Sequence, residues 1–338
     1  MTVVAVIVVA LGLTGLAAGK APRARTLKEF RGFAMSTYFR VTLPDELNHE
    51  QVSEITRELQ TMESLFNRYE ATSEISRINR QAGEWVEVSG TTAGLLARSL
   101  DMAGRTGGAF DPTVGPLVDL WAIYPWSGED QDDGGWVPPA PPDIRQAVTL
   151  VGYPMLQLSP GENKVRLKIP GMSLDLGGVA KGYAVDRVVK LLRSYGVTSG
   201  MVDLGGNIFA LGEHPEGRPW SLGIRHPRDP DRTTAVVQVA DRAVATSGDY
   251  QRYRMYQGER FSHLINPATG WPARDVVSVT IVAPEGIVAD ALSTAVFILG
   301  KERGCALIEE WPGVEGVVIG PDLRVWYSSG LLGKIALR

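Results

Sequence analysis

The segment Ser173–Asp186 (S-L-D-L-G-G-V-A-K-G-Y-A-V-D) constrains this chain most. It reads as a strand that passes through two adjacent glycines, places a lysine and enters an amphipathic helix. A glycine turn opening a helix aims main-chain N–H groups and the positive end of the helix dipole at one point, a ready site for phosphate. Three distant segments have the same character of backbone brought close to something charged: Gly107–Pro116, Asp203–Gly212 and Phe261–Gly270. Together the four predict one nucleotide-sized site, so the chain must fold back on itself to assemble it.

The pattern between these segments predicts an α+β fold. Val52, Ile55, Leu59, Met62 and Phe66 recur at helical spacing within residues 48–69. Ser73–Asn79 reads as a short turn or helical segment, and Ser89 or Thr91 can cap a helix running to about Arg105. The Gly/Pro punctuation of Gly107–Pro116 argues against a regular element there, and Trp121–Asp143 reads as an insertion or lid. From Val165 onward short strands follow one another with few helices, including Met172–Asp175, Phe261–Ile265 and Val276–Ala283. Helices are expected at Ala180–Tyr195, Ala289–Leu299 and Glu302–Trp311. Strands joined mostly without helices favour mixed, mostly antiparallel sheets over a doubly wound one. With no Pro- or Gly-rich linker to divide it, residues 26–338 are expected to form one compact catalytic body.

The apolar run Val3–Ala18 ends in small residues, so residues 1–22 read as a signal peptide or, with Lys20, Arg23 and Arg25 behind it, an uncleaved membrane anchor. Export is the leading expectation, to a periplasm or the outer face of an inner membrane, while the basic residues behind the run would by themselves favour keeping that side inside. A net charge of −4 argues against a nucleic-acid surface. The single cysteine, Cys305, excludes an intramolecular disulfide and any multi-cysteine metal site.

No dinucleotide-binding glycine fingerprint and no P-loop occurs, because Lys181 is followed by glycine. The sharpest pair is Asp290 and Thr294, four residues apart on one face of an apolar helix. Both offer oxygen, which suits Mg²⁺ rather than zinc. The same pattern also reads as a helix cap and a hydroxyl bonded back to a carbonyl. His263, ahead of an Asn-Pro…Gly turn, reads as a general base, a phosphate contact or a structural strand histidine. Lys181 can neutralise a phosphate, and a lysine in the first turn of a helix is otherwise mildly misplaced against the dipole. Asp111 and Asp175 could bond a base or ribose, or simply form a turn and a strand end.

These segments resemble the ApbE family, the FAD:protein FMN transferases. The resemblance is carried by Ala34-Met-Ser-Thr37, Tyr69 with Ser73–Asn79, Gly108–Val118, Asp175–Asp186, Asp203–Gly206, Ala245–Tyr250, His263–Gly270 and Ala289–Thr294, in family order over about residues 30 to 300. It implies an enzyme that binds FAD and Mg²⁺ and moves the FMN half onto a Thr or Ser hydroxyl of an acceptor redox protein, releasing AMP. It implies Asp290, Thr294 and the Gly178 carbonyl as metal ligands, and Met35, Tyr69, Ala109, Phe110, Asp111, Asp175, Lys181 and Ile265 as FAD contacts. His263 would lie nearest the transfer chemistry. Two departures stand out. Ser36 replaces the family's usual glycine, with Phe39 at its aromatic position, and Asn207 replaces the usual aspartate of a Gly-Gly-Asp run. The alternatives are an FAD pyrophosphatase and a non-catalytic flavin carrier. A self-acceptor reading of Ser89–Thr92 gives way to a helix cap, since Val86 stands where an acidic residue is expected.

Overall fold

The computed structural model describes residues 26–123, 135–159 and 161–338. The segment read as a leader or anchor lies outside them, as do residues 124–134 of the expected lid. A hairpin comes first, β1 (Lys28–Ala34) and β2 (Thr37–Leu43), antiparallel and joined by Met35 and Ser36. Both turn residues have positive φ, 52° and 58°. That geometry matches the twist of the strands, but each side chain there costs roughly 1–2 kcal/mol.

Helix α1 (His49–Phe66) starts at a capping box made by Asn48 and Gln51, and it buries Ile55, Leu59, Met62 and Phe66. Ser73 caps α2 (Glu74–Arg80), and β3 (Val86–Glu87) follows. Ser89 caps α3 (Gly90–Arg105) by accepting the Thr92 N–H, so Ser89–Thr92 is a helix start. The Gly/Pro run is irregular only as far as Val114. Helix α4 (Gly115–Trp121) begins inside it, because Pro116 falls in a first turn where its missing N–H costs nothing. Next come α5 (Pro141–Val148), β4 (Leu156–Ser159) and β5 (Lys164–Leu167).

The strand expected over Met172–Asp175 does not form. Ser173 makes one parallel bridge with Val114, the Leu174 amide donates to Asn79 Oδ1 at 2.7 Å, and the Asp175 amide donates to the Pro112 carbonyl at 2.9 Å. A side chain and a loop take the bonds that a ladder would need. Helix α6 (Ala180–Ser194) then leads into β6 (Gly200–Leu204), β7 (Asn207–Leu211), β8 (Trp220–His226), β9 (Asp229–Val239), β10 (Arg242–Gly248), β11 (Tyr253–Tyr256), β12 (Glu259–Ser262) and β13 (Ser278–Ala283). His263 therefore sits just past a strand, not within one. Helix α7 (Gly286–Glu310) joins the two expected C-terminal helices, broken at Gly300 (φ 79°, ψ −178°), and starts three residues early. Strands β14 (Glu315–Ile319), β15 (Val325–Tyr327) and β16 (Ile335–Leu337) close the chain.

The central sheet is antiparallel throughout, in the order β1-β2-β6-β7-β10-β13-β14-β15. Helices α1, α6 and α7 cover one face, and the three-stranded sheet β16-β9-β8 covers the other. Strand β7 shows why both faces are closed. Phe209 and Leu211 enter the helical core, while Ile208 and Ala210 face Leu222, Ile224 and Val237. The two smaller sheets are β11-β12 and β3-β5-β4.

Candidate active site

Helices α6 and α7 meet at glycine. A Cβ on Gly182 would lie 2.2 Å from the Gly286 carbonyl oxygen, and one on Gly286 would lie 2.4 Å from that of Gly182. No side chain fits between them. Asp186, one turn along α6, accepts the Gly286 and Ile287 amides and so caps α7, which has no cap from its own Glu285. Burial pushes the Asp186 carboxyl up to about 6. This crossing sets Lys181 of α6 beside Asp290 of α7.

Asp290 is in the second turn of α7, so it does not cap that helix. Its Oδ2 accepts the Gly182 amide at 2.9 Å. Gly182 is the third residue of α6, where an amide has no partner within the helix, and Asp290 supplies one. Thr294, one turn on, hangs over the glycine pair: a Cβ on Gly178 would be 2.9 Å from Thr294 Oγ1. Asn207, at the start of β7, completes the group. In the orientation its neighbours impose, Nδ2 donates to Asp290 Oδ1 (3.2 Å) and Oδ1 accepts from Lys181 Nζ (3.0 Å). Burial raises the Asp290 pKa against the pull of Lys181. Burial, helped by the Arg252 charge, lowers that of Lys181.

His263 donates its amide to the Arg252 carbonyl at 3.1 Å, and its Nδ1 lies 3.1 Å from the same oxygen. A carbonyl only accepts, so Nδ1 carries the proton and Nε2 keeps its lone pair. Burial and the Arg252 charge bring the imidazole down to about 4, so it is neutral at neutral pH.

One cavity of about 530 Å³ is lined by all twelve residues singled out in the sequence: Met35, Tyr69, Ala109, Phe110, Asp111, Asp175, Gly178, Lys181, His263, Ile265, Asp290 and Thr294. Their commitments differ. Asp111 is a loop staple, with Oδ1 accepting from the Thr113 amide and hydroxyl and Oδ2 from the Tyr153 amide. Asp175 Oδ1 accepts the Gly177 amide, and its Oδ2 pairs with Arg68 at 2.9 Å. Tyr69 leaves 57% of its surface exposed at the cavity mouth, with the Arg68 guanidinium 5.6 Å from its ring. Ile265 is buried just before the Asn266–Gly270 turn, which the Gly270 amide closes onto the Asn266 carbonyl.

Arg68 and Arg252 were not singled out in the sequence, although both line the cavity. Arg68 adjoins Tyr69 and was legible as a neighbour. Arg252 had no signal, because its part is played by a main-chain carbonyl and a charge that reach His263 across a hairpin.

Cationic side chains that include Arg68, Lys181 and Arg252, the buried Asp290 carboxylate, a neutral imidazole and a glycine turn around one cavity define an α+β protein equipped to act on an anionic ligand. Comparison gives the class a family. The ApbE family model matches residues 35–318. The FAD:protein FMN transferase of Treponema pallidum (strain Nichols) is 39% identical over 303 residues, covering 85% of this chain and 82% of the relative. The crystal structure of the ApbE protein from Thermotoga maritima aligns with a TM-score of 0.83 at 31% identity, covering 91% of this chain and 99% of that one. The flavin transferase ApbE from Vibrio cholerae aligns at 0.79 and 31%, covering 91% and 100%. The chain belongs to the ApbE family, and it is a transferase.

Proposed function

We propose that this chain transfers the FMN moiety of FAD to a Thr or Ser hydroxyl of an acceptor redox protein, forming a phosphoester and releasing AMP. The observation that carries the reading is the approach of Lys181 and Asp290 through Asn207, beside a histidine held neutral with Nε2 unprotonated. Support for the substrate comes from relatives named FAD:protein FMN transferase.

A diphosphate suits this cavity because burial and the neighbouring Arg252 charge both disfavour the charged form of Lys181, and an anion beside it relieves that cost. The glycines at 177 and 178 allow main chain to approach the phosphates. Tyr69, exposed at the mouth, offers a ring face to the flavin. The Asp290 carboxylate, the Thr294 hydroxyl and the Gly178 carbonyl form an all-oxygen donor set around a desolvated negative charge, which fits Mg²⁺. When bound there, Mg²⁺ supplies Lewis-acid polarisation of the diphosphate and offsets its charge. Lys181 adds a second positive charge. The acceptor hydroxyl oxygen attacks the FMN phosphorus, its proton passes to His263 Nε2, and the bond to the AMP oxygen breaks. The Arg252 carbonyl, holding Nδ1–H, stabilises the imidazolium that forms.

Water in place of the acceptor would give FMN and AMP, the pyrophosphatase alternative, and stable FAD would mark a carrier. Incubation with FAD and Mg²⁺, with and without a co-expressed acceptor, separates the three. Acceptor-dependent AMP release with an FMN-sized adduct on Thr or Ser is the expected result. Unchanged FAD in every mixture overturns it. The apolar N-terminal run supports an exported enzyme, either periplasmic or membrane-anchored. Among the described residues no helix is long and apolar enough to cross a membrane.

A further inference from the structure

The cavity does not stop at the nucleotide residues. It continues along β8, where Leu222, Gly223, Ile224 and Arg225 all line it. Successive strand residues point to opposite faces. A cavity that touches four in a row meets more than one face of the strand: Ile208, Val237 and Val244 also line it from the inner side, and Gly223 and Arg225 bring it out to the edge, where the main chain is accessible. Strand β8 has such an edge, because among the described residues it pairs only with β9, at the end of the β16-β9-β8 sheet. Gly223 is exposed at its middle. The β8–β9 register is interrupted between Ile224 and Arg225 and again between Arg225 and His226, an irregularity of the kind that ends pairing beside functional sites.

We propose that an extended segment of the acceptor protein adds to β8 as a further strand, which brings its hydroxyl to His263. This rests on the flavin-transfer reading, which requires a polypeptide acceptor. Main-chain bonding along an open edge suits such a ligand, since it holds any extended sequence and leaves selection to alternate side chains. Leu222 and Ile224 are committed to the core between the sheets and hold β8 in place, which leaves the exposed Gly223 and the Arg225 cation to face the added segment. The other open edges are worse placed. Strand β1 meets the cavity only through the turn that follows it, and its Phe33–Tyr38 pair lies outside. Strands β3, β4, β11, β12, β15 and β16 do not line it.

The probe is a library of short peptides, each with one threonine, incubated with enzyme, FAD and Mg²⁺ and sorted by FMN-sized mass gain. The best labelled peptide is then resynthesised with single N-methyl amides along its length. Strand addition predicts a period of two: methylation at alternate positions lowers labelling by about tenfold or more, and methylation between them is tolerated. On the enzyme, Gly223→Val and Arg225→Glu should each raise the peptide KM by a similar factor and leave the Kd for FAD, measured without peptide, unchanged. A valine fits the fold, since a Cβ at Gly223 meets only the Thr233 side chain, at 3.5 Å. An aperiodic methyl scan, no labelled peptide while FAD is still cleaved, or loss of peptide labelling on changes to β1 alone would each overturn the docking and leave the flavin chemistry standing. FAD left intact in every mixture overturns both.

Discussion

Asn207 joins Asp290 to Lys181 with one carboxamide, donating to the first at 3.2 Å and accepting from the second at 3.0 Å. An ionised carboxylate, which only accepts, cannot do both. An aspartate there could take the lysine but would face a second carboxylate across the same gap. Asn207→Asp is therefore expected to destabilise the metal-free protein by about 1–3 kcal/mol through like-charge contact in a buried site. Mg²⁺ should recover most of that loss. Thermal melts with and without Mg²⁺ check this, and a variant whose Mg²⁺-dependent rise is no larger than that of the wild type refutes it.

His263 is brought down to about 4 by burial and the Arg252 charge. A base is active when unprotonated, so kcat/KM should stay level as pH falls from 8 to 5 and drop only as pH passes through about 4. An ordinary histidine would lose activity near 6.5. His263→Ala should lower kcat by about 10²–10⁴-fold with little change in FAD binding. A pH profile with its acid limb above 6 contradicts the assignment.

Asp290→Asn keeps the shape of the side chain and removes its charge. Metal-dependent turnover should disappear. The stabilisation that Mg²⁺ gives the wild type, about 2.7 kcal/mol at a hundredfold excess over Kd, should disappear with it. The thermal shift needs no catalysis, so it separates lost binding from a broken reaction.

Ser36 holds a φ of 58° in the β1–β2 turn. Ser36→Gly removes the side-chain penalty of that geometry and should stabilise the protein by about 1 kcal/mol. Urea unfolding monitored by far-UV circular dichroism measures it, and an unchanged midpoint counts against strain at this turn.

Where the sequence was informative, the reason lies in local chemistry. Helix α1 was readable because Ile55, Leu59, Met62 and Phe66 repeat on one face. The glycine turn at 177–178 and the Asp290–Thr294 pair were readable because they are properties of short segments, while Met35, Tyr69, Ala109, Phe110 and Ile265 came only through the family resemblance; all of them line one cavity. Three things were not readable. Met172–Asp175 has strand composition, yet its bonds go to Asn79 and Pro112, partners set by folding at a distance. Asp111 has the composition of a ligand residue, yet its oxygens fasten a loop. The bridging part of Asn207 depends on α6 and α7 lying side by side, which no window of residues reveals.

Gly182→Ala tests that packing directly. The new methyl would meet the Gly286 carbonyl at 2.2 Å and Asp290 Cβ at 2.7 Å. The helices must part, at a cost of about 1–3 kcal/mol or more. The apparent Mg²⁺ affinity should weaken beyond what the lost stability explains. Retained affinity in a destabilised variant would show that the crossing does not set the site.

The Gly182–Gly286 crossing also bears on how such an enzyme can diverge. Where two helices are spaced by side chains, each core substitution shifts the spacing and whatever chemistry depends on it. Here the spacing at the site is set by peptide against peptide, atoms that every residue possesses. The outward faces of both helices are thus released from holding the catalytic register. Much of their sequence can drift while the reacting groups keep their places, a form of insulation consistent with relatives that share about a third of their residues and nearly all of their shape.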